Sequence, residues 1–444
     1  MKLRHARALW IALALNPLAC GGGEDAPVAD DTEGAWCELP GSDTVTIIDT
    51  EGPVCELPVP DGAGCADTEP PPPAPIATRT WSAPARWADP IADYLAAGEA
   101  HVKSLAFERG IHDLVAYDGL LHLGFGDANL NLGRVFPIDF RAFTVPWSTD
   151  VRHGLVSGEE QLDRFRRVGP DLLMAGVDAT ADEWLGNVYR RAPGANWVLH
   201  RTVQNGVHVH DVAAYDGAVF AVGSGGTPEE WNGGDIYGHL WRSTDGLASW
   251  TIADRVHNDG GGDARLTRLL PLVDGLFVFG YTSNAEGLID ALPHARWDGH
   301  SLAPLGASHG LARVFVTETD AVGPLRGLVR GRDFGVSPAV QRAWWFGRDA
   351  SVQVIEAFAG LTVVDVDVVE ATGEVVALTV DGPDWRPDQI GEKRVRAWVA
   401  AWGEDRWREV FDLTTLIAPK SIAYWMDGLY LGTETGQVWR AQPE

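Results

Sequence analysis

Ile111-His112-Asp113-Leu114-Val115-Ala116-Tyr117-Asp118-Gly119 returns 98 residues later as Val209-His210-Asp211-Val212-Ala213-Ala214-Tyr215-Asp216-Gly217, and each copy runs into a second apolar stretch ending at Gly124 or Gly223. Asp-Gly between two apolar runs supplies the positive φ angles of a tight hairpin, so each copy reads as strand, turn, strand. Weaker copies turn at Gly169-Pro170, Asp274-Gly275, Val322-Gly323, Thr372-Gly373 and Asp427-Gly428. Asp118 and Asp427 are 309 residues apart in six steps, about 51.5 per repeat. A second marker keeps the same phase: Phe136, Tyr189, Trp241, Trp297, Trp345, Trp398 and Trp439 each fall in a short third apolar run. Both markers count seven.

A fourth run follows in most repeats, as in Trp197-Val198-Leu199-His200, Trp250-Thr251-Ile252-Ala253 and Val352-Gln353-Val354-Ile355. Four strands in about 50 residues make a propeller blade, so residues 76–444 are expected to form an all-β, seven-bladed β-propeller with four-stranded blades. Two β-sandwiches would not give a uniform period carried by two markers. The last repeat ends at Glu444 soon after its third strand, and Ile76 to Trp81 is the expected donor of the missing one. Asp89-Pro90 followed by Ile91, Tyr94 and Leu95 predicts a short capped helix between donor and first blade.

Ser243-Thr244-Asp245-Gly246-Leu247-Ala248-Ser249-Trp250 resembles the Asp-box of BNR-type propellers. Ser243, Asp245, Ser249 and Trp250 match that motif, while Leu247 stands where the family has Gly. The resemblance covers one turn and implies a hairpin brace rather than chemistry.

The N-terminal part gives an address. Lys2, Arg4 and Arg7 precede the apolar run Ala8 to Leu15, too short to span a bilayer but suited to a signal-peptide core. Asn16-Pro17-Leu18-Ala19-Cys20-Gly21 then resembles a bacterial lipobox, with Pro17 where that family usually has Leu. The resemblance implies cleavage after residue 19, a lipid on Cys20 and anchoring in the bacterial cell envelope, at the outer membrane. Residues 21–75 read as a disordered acidic tether. Gly21 to Thr78 holds 13 Asp and Glu and no Lys or Arg, Asp-Thr-Glu recurs at 31, 49 and 67, and Cys37-Glu38-Leu39-Pro40 returns as Cys55-Glu56-Leu57-Pro58. Pro70 to Pro73 and Pro75 favour an extended spacer. Cys37, Cys55 and Cys65 permit one disulfide, whose pairing spacing does not decide.

Composition narrows function by exclusion. A formal net charge of −27 repels phosphate backbones and anionic lipid, so nucleic acid is not an expected partner, and the membrane is reached only through the lipid. No Gly-x-Ser-x-Gly elbow, His-Glu-x-x-His helix, phosphate loop or Cys-x-x-Cys is present. The sialidase signature of Asp-box propellers is missing too, since Arg134-Val135-Phe136-Pro137 has the wrong order.

What remains is a set of ligand candidates. His112, His208 and His210 begin equivalent strands and would line the channel, either as ligands or as ordinary hydrogen-bonding groups. Asp259 and Asp263 lie in a Gly-rich loop whose oxygens suit Ca²⁺, the only cofactor the sequence suggests. Asp384 and Asp388 flank Trp385 in a second such loop. The long insertions, with Trp231, Asp235, Asp384, Trp385 and Asp388, all fall in second-to-third-strand or blade-to-blade connections, so one face is elaborated and the other is plain. The expected role is a module that binds an envelope protein or glycan through that face. The alternative is a glycan hydrolase or lyase, which would show as three or more carboxylates and arginines converging on one pocket.

Overall fold

The structure, a computed structural model, describes residues 74–101, 109–127, 138–177, 184–259, 262–284, 286–336, 340–382 and 391–444. Cys20, Phe136, Asp384, Trp385 and Asp388 lie outside the described residues, as does the tether up to residue 73.

The repeat reading becomes a set of antiparallel meanders. Ile111–Tyr117, Leu120–Phe125, Asp139–Phe143 and Val151–Val156 pair in sequence order, and so do Phe165–Val168, Asp171–Ala175, Leu185–Arg191 and Val198–Gln204. Val314–Val322 to Val352–Val354 and Leu361–Val369 to Arg408–Thr415 repeat the pattern. A nine-stranded sheet holds two further meanders, Gly206–Tyr215 to Thr251–Val256 and Gly262–Leu272 to Leu302–Pro304. They are joined through a short parallel pairing, Asp235 with Gly262 and Ile236 with Asp263. The chain is an all-β propeller built on four-stranded units.

Local chemistry explains the turns. Asp118 and Gly119 have φ of 51° and 73°, and Asp216 and Gly217 have 48° and 71°, the two consecutive left-handed residues that the Asp-Gly pairs were expected to supply. Tyr189, Trp241, Trp297, Trp345, Trp398 and Trp439 all fall in third strands. Tyr189, Trp241, Trp297 and Trp345 are buried, packing between neighbouring sheets in apolar clusters such as Val188, Val209, Val212, Trp241 and Trp250.

Closure differs from expectation. The donor is Ala85–Ala88, which pairs with Val438–Ala441 and completes a four-stranded sheet with Gly428–Thr433 and Pro419–Trp425. Ile76–Thr78 is instead a single 3-10 turn. Its backbone N–H groups are taken by the Glu374 carboxylate, Ile76 at 2.7 Å and Ala77 at 2.9 Å, so they are not presented to a ladder. Trp81 contributes an isolated bridge to Pro443, reinforced by Ser82 N–H donating to the Gln442 carbonyl at 2.9 Å. The expected helix forms as Ala92–His101.

The first strand of each meander lies innermost, and all of these strands except Phe165–Val168, whose ladder is regular, share an irregularity. Their ladder registers skip one residue at His112, His210, Thr267, Thr317, Val364 and Lys420. A bulge kinks the strand and re-aims the next side chain. The residue after each bulge is Asp113, Asp211, Arg268, Glu318, Asp365 or Ser421, so the bulges set a ring of polar groups along the axis.

Candidate functional site

Those axial side chains, together with Arg166 of Phe165–Val168 and Arg330 of the second strand Arg326–Asp333, stitch each innermost strand to the next. Asp113 accepts the backbone N–H of Phe165 at 2.8 Å, and Arg166 donates to both carboxylate oxygens of Asp211, at 2.7 and 2.5 Å. Asp211 also accepts Leu269 N–H at 2.9 Å, and Arg268 donates to the Thr317 carbonyl at 2.6 Å and to Glu318 at 3.1 Å. Arg330 reaches the Val364 carbonyl and Asp365, Asp365 accepts Ile422 N–H at 2.8 Å, and Ser421 donates to the Ile111 carbonyl at 2.9 Å. The circuit closes on the strand where it began.

Strand Phe165–Val168 and its neighbour Arg164 send three arginines across the axis. Arg164 meets Glu318 and Asp320 on the far side, and Arg166 also reaches the Thr319 carbonyl at 2.6 Å. Arg167 spans from the Ala116 carbonyl at 2.6 Å to the Val368 carbonyl at 3.3 Å. Asp113, Arg164 and Asp365 line both of two cavities, one on each side of this waist. A cavity of about 460 Å³ is lined by the beginnings of the innermost strands, with His112, Asp163, Gln341, Thr362 and Lys420, and so opens on the face of the long connections. A larger one of about 550 Å³ is lined by strand ends and short turns, including Gly169, Asp216, Val273, Pro324 and Glu370.

Burial and mutual repulsion govern the charges at the waist. Burial, with Asp365 nearby, pushes the Asp113 carboxyl up to about 7. Burial lifts Asp365 to about 6 against the pull of Arg330, and lifts Asp367 to about 6. For Arg164 burial opposes the charge, but Asp320, Asp113, Asp211 and Asp365 outweigh it and hold the guanidinium above its ordinary value. Asp211 stays below the usual carboxylate range because its guanidinium partners overcome its desolvation.

The residues singled out from sequence are distributed around this centre. His112 and His210 are the bulged residues themselves. His112 Nε2 lies 2.9 Å from the Gly126 carbonyl at the long-loop mouth. His208 and His210 stack with ring centroids 6.0 Å apart, and His208 Nδ1 meets the Val177 carbonyl at 2.8 Å. Burial and Arg265 push His208 down to about 4, and burial with His208 beside it holds His210 well below the ordinary value, so both rings are neutral at pH 7.

Trp231 sits on the short helix Pro228–Gly233, whose start is fixed by a reciprocal pair of bonds between Thr227 and Glu230. Its ring lies 5.8 Å from Trp184 and 6.1 Å from His208. Asp235 is 3.7 Å and Asp259 3.1 Å from His257, whereas Asp263 pairs with Arg265 at 3.0 Å. The three expected metal ligands Asp259, Asp263 and His208 are thus turned to three different partners, and among the described residues no group of three or more His, Cys, Asp or Glu is arranged to hold a metal.

The turn at Ser243 is held by side-chain hydrogen bonds. Asp245 accepts from Ser243 Oγ at 3.0 Å, from Ser249 N–H at 3.0 Å and from Ser249 Oγ at 2.5 Å, while Leu247 N–H donates to Ser243 Oγ at 3.1 Å. Trp250 is buried and donates to Thr202 Oγ1 at 3.1 Å.

Sequence reading missed Arg164, Arg166, Arg268, Arg330, Glu318, Asp320, Asp365 and Asp367. The signal was present: a charged residue interrupts the apolar run of each innermost strand. The two best copies drew attention to histidines, and the aspartates after them carry the ring.

No family model and no curated protein matches the chain. Among solved structures it is similar to a GH74 xyloglucanase from Xanthomonas campestris, at 12% identity and a TM-score of 0.47, over 77% of this chain and 53% of that one. A GH74 enzyme from Niastella koreensis is similar at 11% identity and a TM-score of 0.47, over 75% and 52%. The polysaccharide lyase Uly1 is similar at 8% identity and a TM-score of 0.43, over 83% and 98%. The chain spans about half the length of the two GH74 enzymes.

Proposed function

We propose that this chain is a lipid-anchored propeller of the bacterial cell envelope, held at the outer membrane by Cys20, that binds an envelope protein or glycan at the long-loop mouth of its channel. Reading the nine-stranded sheet as two blades, whose meanders are paired among the described residues by a two-residue parallel contact, supports the count of seven. The Ser243 turn is then an Asp-box in its bracing role.

The observation that carries a binding role is the state of the axial carboxylates. Asp113, Asp163, Asp211, Glu318, Asp365 and Asp367 each already accept from a guanidinium, a side-chain amide or a backbone N–H. They are consumed in holding the ring, which favours recognition by the surrounding mouth over turnover at the waist. Trp231 lies against Trp184 and against His208 near the start of an innermost strand, and so offers aromatic surface on the face of the long connections.

The test is binding of the full chain to arrayed envelope glycans and to envelope protein extracts, compared with Trp231→Ala and Gln341→Ala. Saturable binding weakened at least tenfold by either substitution supports the reading, and binding indifferent to both defeats it. Cys20→Ser is expected to release the chain from membranes; persistent membrane retention with continued acyl labelling removes the anchor.

A hydrolase or lyase remains the second reading. It is favoured by the convergence of carboxylates and arginines on one channel, with Asp113 raised to the range of a proton donor at neutral pH. New reducing ends or unsaturated products from extracellular glycans, absent in Asp113→Asn, would establish it.

A further inference from the structure

A small cavity lies in the seam between the first two meanders and shares no lining residue with the two channel cavities. It has a volume of about 20 Å³ and is lined by His122, Arg141 and Arg152 of the meander from Ile111–Tyr117 to Val151–Val156, and by Arg191, Asn196 and Trp197 of the meander from Phe165–Val168 to Val198–Gln204. No carboxylate lines it among the described residues, although the chain carries a formal net charge of −27. His122 is 2% exposed, and its Nε2 is buried without a hydrogen-bond partner. The rings of Phe165 and Trp197, with centroids 5.9 and 5.7 Å away, hold it in place. Arg191 is 4% exposed and gives Nη2 to Asp118 at 2.9 Å, while its Nη1 is buried without an acceptor. Buried donors in that state are costly, and folded proteins nearly always find them a partner.

Charge points to the same void. Arg141 is neutralised by Asp139 and Asp93, whereas Arg152 donates to the neutral Asn196 oxygen at 3.2 Å and has no carboxylate within ion-pair distance among the described residues. Burial, with Arg191 and Arg152 nearby, pushes His122 down to about 3, so the ring is neutral and, with its proton on Nε2, a donor. Size then selects the acceptor. A single water needs roughly 10–15 Å³ of such space, so the cavity holds one small sphere and excludes a tetrahedral oxyanion. Water would accept from the donors and leave the positive charge in place; a monatomic anion answers both.

We propose that this seam is a binding site for a monatomic anion such as chloride, with His122 Nε2–H and Arg191 Nη1–H as its donors and Arg152 closing its mouth. His122 and Arg152 belong to the first meander and Arg191 to the second, so the ion clamps one to the other and stabilises the folded chain by mass action. The site does not depend on ligand binding at either mouth of the channel.

The experiment is thermal melting of the full chain while sodium gluconate is exchanged stepwise for sodium chloride at constant ionic strength, together with the line width of the chloride nuclear resonance. The melting temperature is expected to rise saturably with chloride. The chloride line is expected to broaden with the protein present, to narrow when bromide displaces the ion, and to stay broad when sulfate, too large for the cavity, is added instead. His122→Phe keeps an aromatic ring against Phe165 and Trp197 but removes the donor, and Arg152→Gln removes the exposed charge. Each is expected to raise the chloride concentration at half-response at least tenfold, while Gln341→Ala, in the channel mouth, leaves it unchanged. Arg152→Gln alters an exposed side chain and carries the test alone if His122→Phe folds poorly. A melting temperature indifferent to the exchange of gluconate for chloride overturns the proposal and leaves the cavity to water. A chloride line that sulfate narrows as well as bromide does overturns it too, as does a chloride response that is undiminished in Arg152→Gln and in folded His122→Phe, or lost in Gln341→Ala.

Discussion

Arg166 lays its guanidinium fork flat against Asp211, with Nε 2.7 Å from one carboxylate oxygen and Nη2 2.5 Å from the other, and so ties two neighbouring innermost strands across the channel wall. Asp211 is 1% exposed, and its second oxygen also holds the Leu269 N–H of the following strand. One carboxylate therefore joins three successive innermost strands. Removing one partner of such a pair leaves the other buried without compensation, which typically costs about 3–5 kcal/mol. Arg166→Ala is expected to lower stability by that order in chemical denaturation. Combining it with Asp211→Asn should lose clearly less than the sum of the single losses; strict additivity would show that the two groups do not act together.

The waist also sets a pH dependence with opposing parts. Asp113 has a folded-state value of about 7 against 3.8 for an ordinary aspartate, so the stability it contributes is full below about 4 and is lost as pH rises through 7. Buried histidines act in the other sense. Burial holds His122 at about 3 and His208, His239 and His294 at about 4, so their contribution is present above 6.5 and is lost as pH falls toward 4. A stability maximum near neutrality follows. Asp113→Asn keeps an acceptor for Phe165 N–H while removing the charge, and is expected to raise the melting temperature at pH 8 and to do so little or not at all at pH 4.5. A gain larger at pH 4.5 than at pH 8 would reverse the assigned sign.

The fold was legible because its signals are local. Asp118-Gly119 and Asp216-Gly217 need only their own φ angles, and Trp241 or Trp345 mark third strands because burial between sheets favours a large apolar ring there. The donor strand was misplaced because Ile76 to Trp81 has the better strand composition. What decides the matter is a carboxylate some 300 residues away, since Glu374 captures Ile76 N–H and turns the segment. The axial ring was opaque for the same reason: Asp113 and Phe165 or Asp365 and Ile422 are brought together by a bulge and by the circular arrangement, neither of which a linear pattern displays. Composition hid the two mouths as well, because loop length marks one face while the larger cavity opens on the other.

The Ser243 turn gives a third expectation. Leu247 adopts φ of 76°, a left-handed conformation that disfavours a branched side chain, where the family it resembles has glycine. Yet Leu247 is 2% exposed and packs with Trp241 and Trp250. Relief of backbone strain is worth about 1–2 kcal/mol, whereas truncating a buried Leu loses about 2–5 kcal/mol. Leu247→Gly is thus expected to destabilise by about 1–3 kcal/mol although glycine accepts this backbone conformation without strain. Trp250→Ala, which empties a larger volume, should lose about 3–5 kcal/mol. A stabilising Leu247→Gly, read from the denaturation midpoint, would mean that strain outweighs packing at this turn.

Ring closure supplies the last expectation, because three truncations separate its parts. Removing residues 1–72 leaves every described contact in place and should yield a folded chain of parental stability. Removing residues 1–84 deletes Ile76 and Trp81, both buried, and the bonds from Ile76 and Ala77 to Glu374, but retains the pairing of Ala85–Ala88 with Val438–Ala441. That chain should melt lower and stay monomeric. Removing residues 1–90 takes the strand itself and Trp87, whose ring lies 4.5 Å from Phe143 and 5.1 Å from Tyr430, and leaves Val438–Ala441 as an open edge over an uncovered aromatic cluster. Open edges of this kind pair with other chains, so the third truncation is expected to aggregate in sizing and light-scattering measurements. The order of the three outcomes is what matters: aggregation already at the 1–84 truncation would move closure back to the segment around Trp81, and a soluble, stable 1–90 truncation would show that the ring holds without its N-terminal strand.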